Sequence, residues 1–165
     1  MATITVEDGT RVAGANSYVT TAEFTTYCGN RNITIDAVTY GDESELLIKA
    51  MDYLEQQDFK GWKVARDQAL QFPRVDLWID GYDIDSDVVP QILKDAQCEI
   101  AVQIMQGYNP LRVIDRAVKR EKVDVIEVEY MDNAATQTIS PSIANALRKL
   151  LRGSVGGNSF SLVRA

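Results

Sequence analysis

Apolar residues recur at helical spacing in three segments of the chain, which predicts three helices that each bury one face. Asp42 to Glu45 place acidic side chains before the first segment, where they favour a helix start. Pro90 precedes the second, and Ser140 with Pro141 supplies an N-cap and a first-turn proline for the third. The apolar stripes are Leu46, Leu47, Ala50, Met51 and Leu54; Ile92, Leu93, Ala96, Ile100, Ala101 and Ile104; and Ile143, Leu147, Leu150 and Leu151.

A fourth, shorter helix is predicted from the residues at its two ends. Thr20 and Glu23 have the spacing of a capping box, in which each side chain accepts from the other residue's backbone amide. Gly29 and Asn30 are residues that commonly end a helix in the left-handed conformation. We therefore expect a helix from this capping box to about Cys28.

Two other segments lack helical periodicity. Residues from Phe59 to Trp78 predict an ordered loop, packed by Trp62, Phe72 and Trp78. Between Glu121 and Tyr130 the pattern is strand-like, but its apolar phase changes midway, which predicts a bulge or a two-sided strand. The strand-like residues are Val123, Val125, Ile126, Val128 and Tyr130.

Length and charge narrow the class of protein. A chain of 165 residues is most economically one domain, which we place at residues 1–152, followed by a flexible tail or docking arm at 153–165. The apolar share of 45% is ordinary for a soluble protein, and no segment resembles a signal peptide or membrane span. The net charge of -7 argues against general nucleic-acid binding, because affinity for nucleic acid comes largely from Lys and Arg side chains that replace the counterions of the phosphates.

The candidate chemistry is sparse. Cys28 and Cys98 are far apart, and the chain has no histidine to complete a zinc site. An EF-hand frame begun at Asp83 would need glycine at Val88 and glutamate at Lys94, so we expect a solvated loop without a metal. No cofactor is expected. The loop's aspartates are Asp76, Asp80, Asp83, Asp85 and Asp87.

Catalysis has no recognisable set of residues. Carboxylate pairs such as Asp80 with Asp83, or Asp52 with Glu55, could act as acid and base, but their spacing is not distinctive. The chain has no nucleophile elbow and no phosphate-binding glycine loop. We predict that the protein is not an enzyme, with a small hydrolase as a remaining alternative.

Two further segments allow two interpretations each. A basic stretch could contact DNA or could carry interface or solvent charge, and no aromatic residues are interleaved with it for base stacking. The tail could be inert or could dock on a neighbour through Phe160, Leu162 and Val163. The basic stretch contains Arg112, Arg116, Lys119, Arg120 and Lys122.

An ordered series of short motifs resembles the head–tail connector, or adaptor, proteins of tailed bacteriophages, a family whose members often carry the label of DnaT-like single-stranded-DNA-binding proteins. The segment Leu70-Gln-Phe-Pro-Arg74, followed by the aspartate-rich loop and Pro90, is the most informative part. The others are Val6-Glu-Asp-Gly9, Ala13 to Val19, Ala50 to Leu54, Phe59-Lys-Gly61, Leu93 to Ala96, Glu99-Ile-Ala101 and Glu121 to Tyr130.

The resemblance implies a mainly α fold, a helical bundle of about four helices with a small β element at Glu121 to Tyr130. It implies a ring, commonly of twelve subunits, fixed beneath the portal in the virion after synthesis in the host cytoplasm. Its partners would be the portal protein, the next tail or head-completion protein and further copies of this chain. Double-stranded DNA would pass through the ring without sequence-specific contact, and no membrane is involved.

Residue roles within that ring are predicted at two places. The strand-like residues Val123, Val125, Ile126, Val128 and Tyr130 are expected to pair with a neighbouring subunit. Arg148, Lys149 and Arg152, with Phe160, Leu162 and Val163 of the tail, are expected to face the portal. The alternative function is that of a DnaT-like single-stranded-DNA-binding replication protein.

Overall fold

A computed structural model of the chain describes residues 2–36, 39, 41–109, 120–123, 126–129 and 140–153, with backbone alone for residues 120–123 and 126–129. Its helices are α1 (Thr21–Gly29), α2 (Glu43–Leu54), α3 (Gln91–Met105) and α4 (Pro141–Leu147). The strands are β1 (Trp62–Lys63), β2 (Arg74–Val75), β3 (Leu77–Ile79), β4 (Tyr82–Ile84), β5 (Arg120–Val123) and β6 (Ile126–Glu129).

The described strands form three separate antiparallel pairs, β1 with β2, β3 with β4, and β5 with β6. The expected helical bundle is therefore wrong, and the fold is a mixture of α and β structure. The β1–β4 strands were missed because they are two or three residues long, too short to show the alternation of apolar and polar residues that identifies a strand. Residues between the helices also complete the core, including Phe59, Phe72 and Leu77. The helices therefore pack against these residues as well as against one another.

The helix starts follow the sequence closely. Thr20 and Glu23 form the predicted capping box, and Asp42 caps α2 by accepting from the Glu45 amide. Ser140 holds the predicted N-cap position before Pro141 at the start of α4, but its side chain makes no capping hydrogen bond. Pro90 is the N-cap of α3, one residue before its predicted position.

The helix ends differ more from expectation. Asn30 keeps right-handed helical geometry, and the left-handed residue after α1 is Asn32, with a φ of 53°. Helix α4 stops at Leu147, so Leu150 and Leu151 are buried by the turns that follow rather than by a continuing helix. The difference arises because Leu151 pairs with Phe59 in an isolated β-bridge, which requires extended backbone.

The strand-like segment near residue 125 is a hairpin rather than one bulged strand. Val123 pairs with Ile126, and Arg120 pairs with Glu129 at the other end of the two strands. The change of apolar phase therefore marks a reversal of the chain direction.

The core lies between α2 and α3, with α1 and α4 packed against them. Three aromatic rings extend it towards the β1–β2 hairpin: Phe72 meets Tyr18 and Phe59 edge to face, with ring centroids 6.1 and 5.0 Å apart. The Phe72–Pro73 peptide is cis. No described helix has both the length and the apolar run needed to cross a membrane.

Gln97 of α3 ties the core to the N-terminal segment. Its side-chain oxygen accepts from the Tyr18 amide at 3.0 Å, while its amide nitrogen donates to the Ser17 hydroxyl and the Leu47 carbonyl. Gln97 and Tyr18 are both fully buried. A buried amide hydrogen without a partner loses its hydration with no compensation, so this contact stabilises the fold.

We expect Gln97→Met to lower the free energy of unfolding by about 1–3 kcal/mol, because it leaves the Tyr18 amide without an acceptor. Urea denaturation measures the change. Gln91→Met on the exposed side of the same helix is the matched control and should stay within about 0.5 kcal/mol of the parent. Equal losses from both variants would contradict this role for Gln97.

Candidate functional site

Both tryptophans lie on the surface, where sequence analysis expected them to pack the loop. Trp62 is 61% exposed and Trp78 is 58% exposed. The strands explain this orientation: Trp78 lies opposite Asp83 on the outer face of the β3–β4 hairpin, whereas Leu77 and Ile79 contact the core. Prediction failed here because alternation in a three-residue strand is too brief to assign a face.

A cation covers the Trp62 ring. The Arg152 guanidinium carbon lies 4.6 Å from the ring centroid, and the Arg152 side chain also donates to the Gly61 carbonyl at 2.9 Å. Gly61 has a φ of +69°, and a Cβ there would lie 2.3 Å from the Val75 carbonyl oxygen. Glycine is therefore required at the turn that leads into Trp62.

Residues 149–152 lie alongside residues 58–61 and place their cations there. The Lys60 amide donates to the Leu150 carbonyl at 2.9 Å, and the Arg152 amide donates to the Asp58 carbonyl at 2.8 Å. The Lys60 ammonium donates to the Lys149 carbonyl at 2.9 Å. We call the surface formed by Lys60, Trp62, Trp78, Lys149 and Arg152 the basic–aromatic face.

Arg74 holds the inner side of this face. It is 6% exposed, and its guanidinium donates to the three successive carbonyls of Phe59, Lys60 and Gly61 at 3.2, 2.7 and 2.9 Å. Two further bonds go to the backbone and side-chain oxygens of Gln71. Burial lowers the pKa of Arg74, and the nearby positive charge of Arg152 lowers the pKa further.

Carboxylates sit beside two cations of the face. Asp80, in the turn between β3 and β4, has an oxygen 2.5 Å from the Lys149 ammonium, and Asp58 lies 4.0 Å from the Arg152 guanidinium. All four side chains are between 44% and 71% exposed. The cations are thus held in place but remain open to solvent and to a ligand.

The two tryptophans are close enough to serve one ligand. Trp62 is the Cα partner of Val75, which precedes Trp78 by three residues. Strand dimensions then limit the distance between the two tryptophan Cα atoms to about 16 Å at most. An extended ligand of that length spans both positions.

A separate cleft of about 400 Å³ lies between α1 and α3. In it the Arg31 guanidinium stacks on the Tyr27 ring, 3.5 Å from the centroid. Burial raises the pKa of Cys98 to about 12, so its thiol is protonated at neutral pH and is not a nucleophile. Glu23 is engaged in its capping box and Asp95 accepts from Gln91, so the cleft offers no paired acid and base.

The predicted site residues divide into three groups. Lys149 and Arg152 lie on the basic–aromatic face, and Arg148 follows the end of α4 beside them in sequence. Val123, Ile126 and Val128 belong to the β5–β6 hairpin, which pairs within the chain; whether it also pairs with another subunit stays a prediction. Val125, Tyr130, Phe160, Leu162 and Val163 lie outside the described residues.

Of the basic stretch, Arg120 and Lys122 are in β5, while Arg112, Arg116 and Lys119 lie outside the described residues. The aspartates from Asp76 to Asp87 do not converge: within the described ranges no three acidic, cysteine or histidine side chains form a group that could hold a metal ion. Both cysteines are buried and free.

Comparison with known proteins gives one result. The family model described as "Putative DnaT-like ssDNA binding protein" matches residues 2–165. No curated protein and no solved structure gives a significant match.

The family match corrects the sequence-based assignment. Its description conflicts with a head–tail connector, a ring oligomer and portal binding, and it supports the alternative of single-stranded DNA binding better. The virion location, the partner proteins and the absence of enzymatic activity are not tested by it and stay predictions.

We expect Arg74→Met to lower the free energy of unfolding by about 1–3 kcal/mol, because the buried Phe59 carbonyl and the partly buried Lys60 carbonyl lose the Arg74 donor, while the Gly61 carbonyl keeps the one from Arg152. It should also shift the tryptophan emission of the folded protein, since the turn that carries Trp62 loses its support. Urea denaturation followed by fluorescence measures both. Arg66→Met, at an exposed position of the same loop, is the control, and a similar loss there would contradict the argument.

Proposed function

The chain belongs to the family described as "Putative DnaT-like ssDNA binding protein", and on that premise we propose that it binds single-stranded DNA through the basic–aromatic face. The observation that carries the proposal is that Trp62 and Trp78 are both largely exposed, with Arg152 over the Trp62 ring and Lys149 paired with Asp80, two residues after Trp78. Exposing large aromatic side chains to water costs free energy, and an exposed apolar surface rimmed by polar residues is typical of an interaction site.

Base stacking is the main contact in this proposal. Every base has a flat aromatic surface, and a stacked base contributes about 1–3 kcal/mol through an aromatic side chain. Trp62 and Trp78 lie on neighbouring hairpins, so each can take a different base of one strand. The face therefore fits unpaired nucleotides without a preference for a particular sequence.

The cations supply the second contact. Arg152 is held over the Trp62 ring and keeps donors for a phosphate next to a base stacked there. Lys60 and Lys149 extend the positive charge along the same side. The buried Arg74 guanidinium lies near Arg152 and adds a second positive charge behind the face.

The chain's overall charge favours a single strand over a duplex in this mechanism. A duplex presents stacked and paired bases, so its binding depends on phosphate contacts, which a net charge of -7 opposes. A single strand exposes its bases and can gain free energy from stacking. We propose binding alone, with no bond made or broken.

We expect Trp78→Ala to weaken binding of a fluorescently labelled oligothymidylate by about 5- to 100-fold, as the loss of one stacked base predicts. Trp78→Phe should restore most of the affinity, because it keeps an aromatic surface. Fluorescence anisotropy at low and moderate salt measures the dissociation constants.

Tyr82→Ala is the matched control. Tyr82 is 76% exposed on the same hairpin, but it lies opposite Ile79 and therefore on the other face from Trp78. Its affinity should stay within about twofold of the parent. Lack of binding by the parent chain at low salt, or equal losses for both alanine variants, would overturn the proposal.

A further inference from the structure

We propose that Asp80 occupies the position of a DNA phosphate at Lys149 and competes with the nucleic acid for that cation. The inference rests on the proposed function. Asp80 then sets the affinity of the basic–aromatic face for an anion, although it is itself acidic.

The Lys149 ammonium donates a charge-assisted hydrogen bond to the Asp80 carboxylate, and both side chains are about half exposed. Carboxylate and phosphate oxygens bind an ammonium group in the same way. Asp80 holds one of the three ammonium donors and offsets the charge of Lys149, so a phosphate that reaches Lys149 competes with it for the same cation.

The turn itself does not require the negative charge. Asp80 and Gly81 have φ values of 53° and 88°, the conformation of a two-residue hairpin turn. Asparagine fits the first position of such a turn at least as well as aspartate. The carboxylate thus adds a charge where the backbone needs only a residue that tolerates the left-handed conformation.

The contact adds little to folding. An ion pair between two exposed side chains is weak, because water competes with both partners. Its main effect falls on a ligand that needs the same cation. Arg152 differs from Lys149 in this respect, since its nearest carboxylate is 4.0 Å away and its position is also fixed by Trp62 and the Gly61 carbonyl.

The test compares full-length chains that carry Asp80→Asn, Asp83→Asn or the double change Asp80→Asn with Lys149→Gln. Asp83→Asn is the matched control, because it removes the same charge from the same hairpin at the position opposite Trp78. Each chain is titrated with a labelled oligothymidylate at three salt concentrations. Thermal melting checks that the variants are folded.

We expect Asp80→Asn to tighten binding about 3- to 10-fold at low salt. The slope of log affinity against log salt should become more negative by about 0.7, the value for one additional phosphate contact on a single strand. Asp83→Asn should change affinity by less than about twofold. The double variant should lose the gain, because the cation that gains the phosphate is absent.

Equal gains from Asp80→Asn and Asp83→Asn would overturn the inference, since general repulsion would then explain both. Unchanged affinity in Asp80→Asn, or a gain that persists in the double variant, would also overturn it while the proposed function stands. Absence of binding in every chain, including the parent, would overturn the proposed function and this inference together.

Discussion

The buried Arg74 guanidinium is the constraint on which the candidate surface depends. It donates to the successive carbonyls of Phe59, Lys60 and Gly61, which fixes the backbone that leads into Trp62. A buried cation is costly unless its donors are satisfied, so the chain must hold these carbonyls in one arrangement. Residues 149–152 hydrogen-bond to the same backbone segment, so the hydrogen bonds of Arg74 also fix the positions of Lys149 and Arg152.

The exposure of Trp78 has a different cause, the strand geometry of the β3–β4 hairpin. In the β3–β4 hairpin, alternate side chains point to opposite sides, so burying Leu77 and Ile79 forces Trp78 outward. The hairpin is held by its two-residue turn and by the core contacts of Leu77 and Ile79. The orientation of Trp78 is thus a consequence of core packing, and its use by a ligand needs no movement of the backbone.

Sequence patterns predicted the parts of the fold that depend on local interactions. The capping box at Thr20 and Glu23, the acidic helix start at Asp42 to Glu45 and the Ser140–Pro141 start appear at or within one residue of their expected places. Tertiary contacts decide the rest: the end of α4 is set by the pairing of Leu151 with a residue 92 positions earlier, Phe59. The candidate surface needed the same long-range information, because Arg152 meets Trp62 only after the chain has folded.

The acidity of the chain is compatible with the proposed binding of a polyanion, because the net charge and the contacts at the surface act over different distances. Charges separated by more than about 8–10 Å through solvent are largely screened at physiological salt, so the net charge of -7 acts mainly on approach. At the surface, contact depends on the few groups within reach, which are two tryptophans and the cations beside them. A surface that gains most of its free energy from stacking needs little net positive charge. In the proposed function, surrounding carboxylates disfavour ligands whose only contact is phosphate, and the unpaired base is the feature that is recognised.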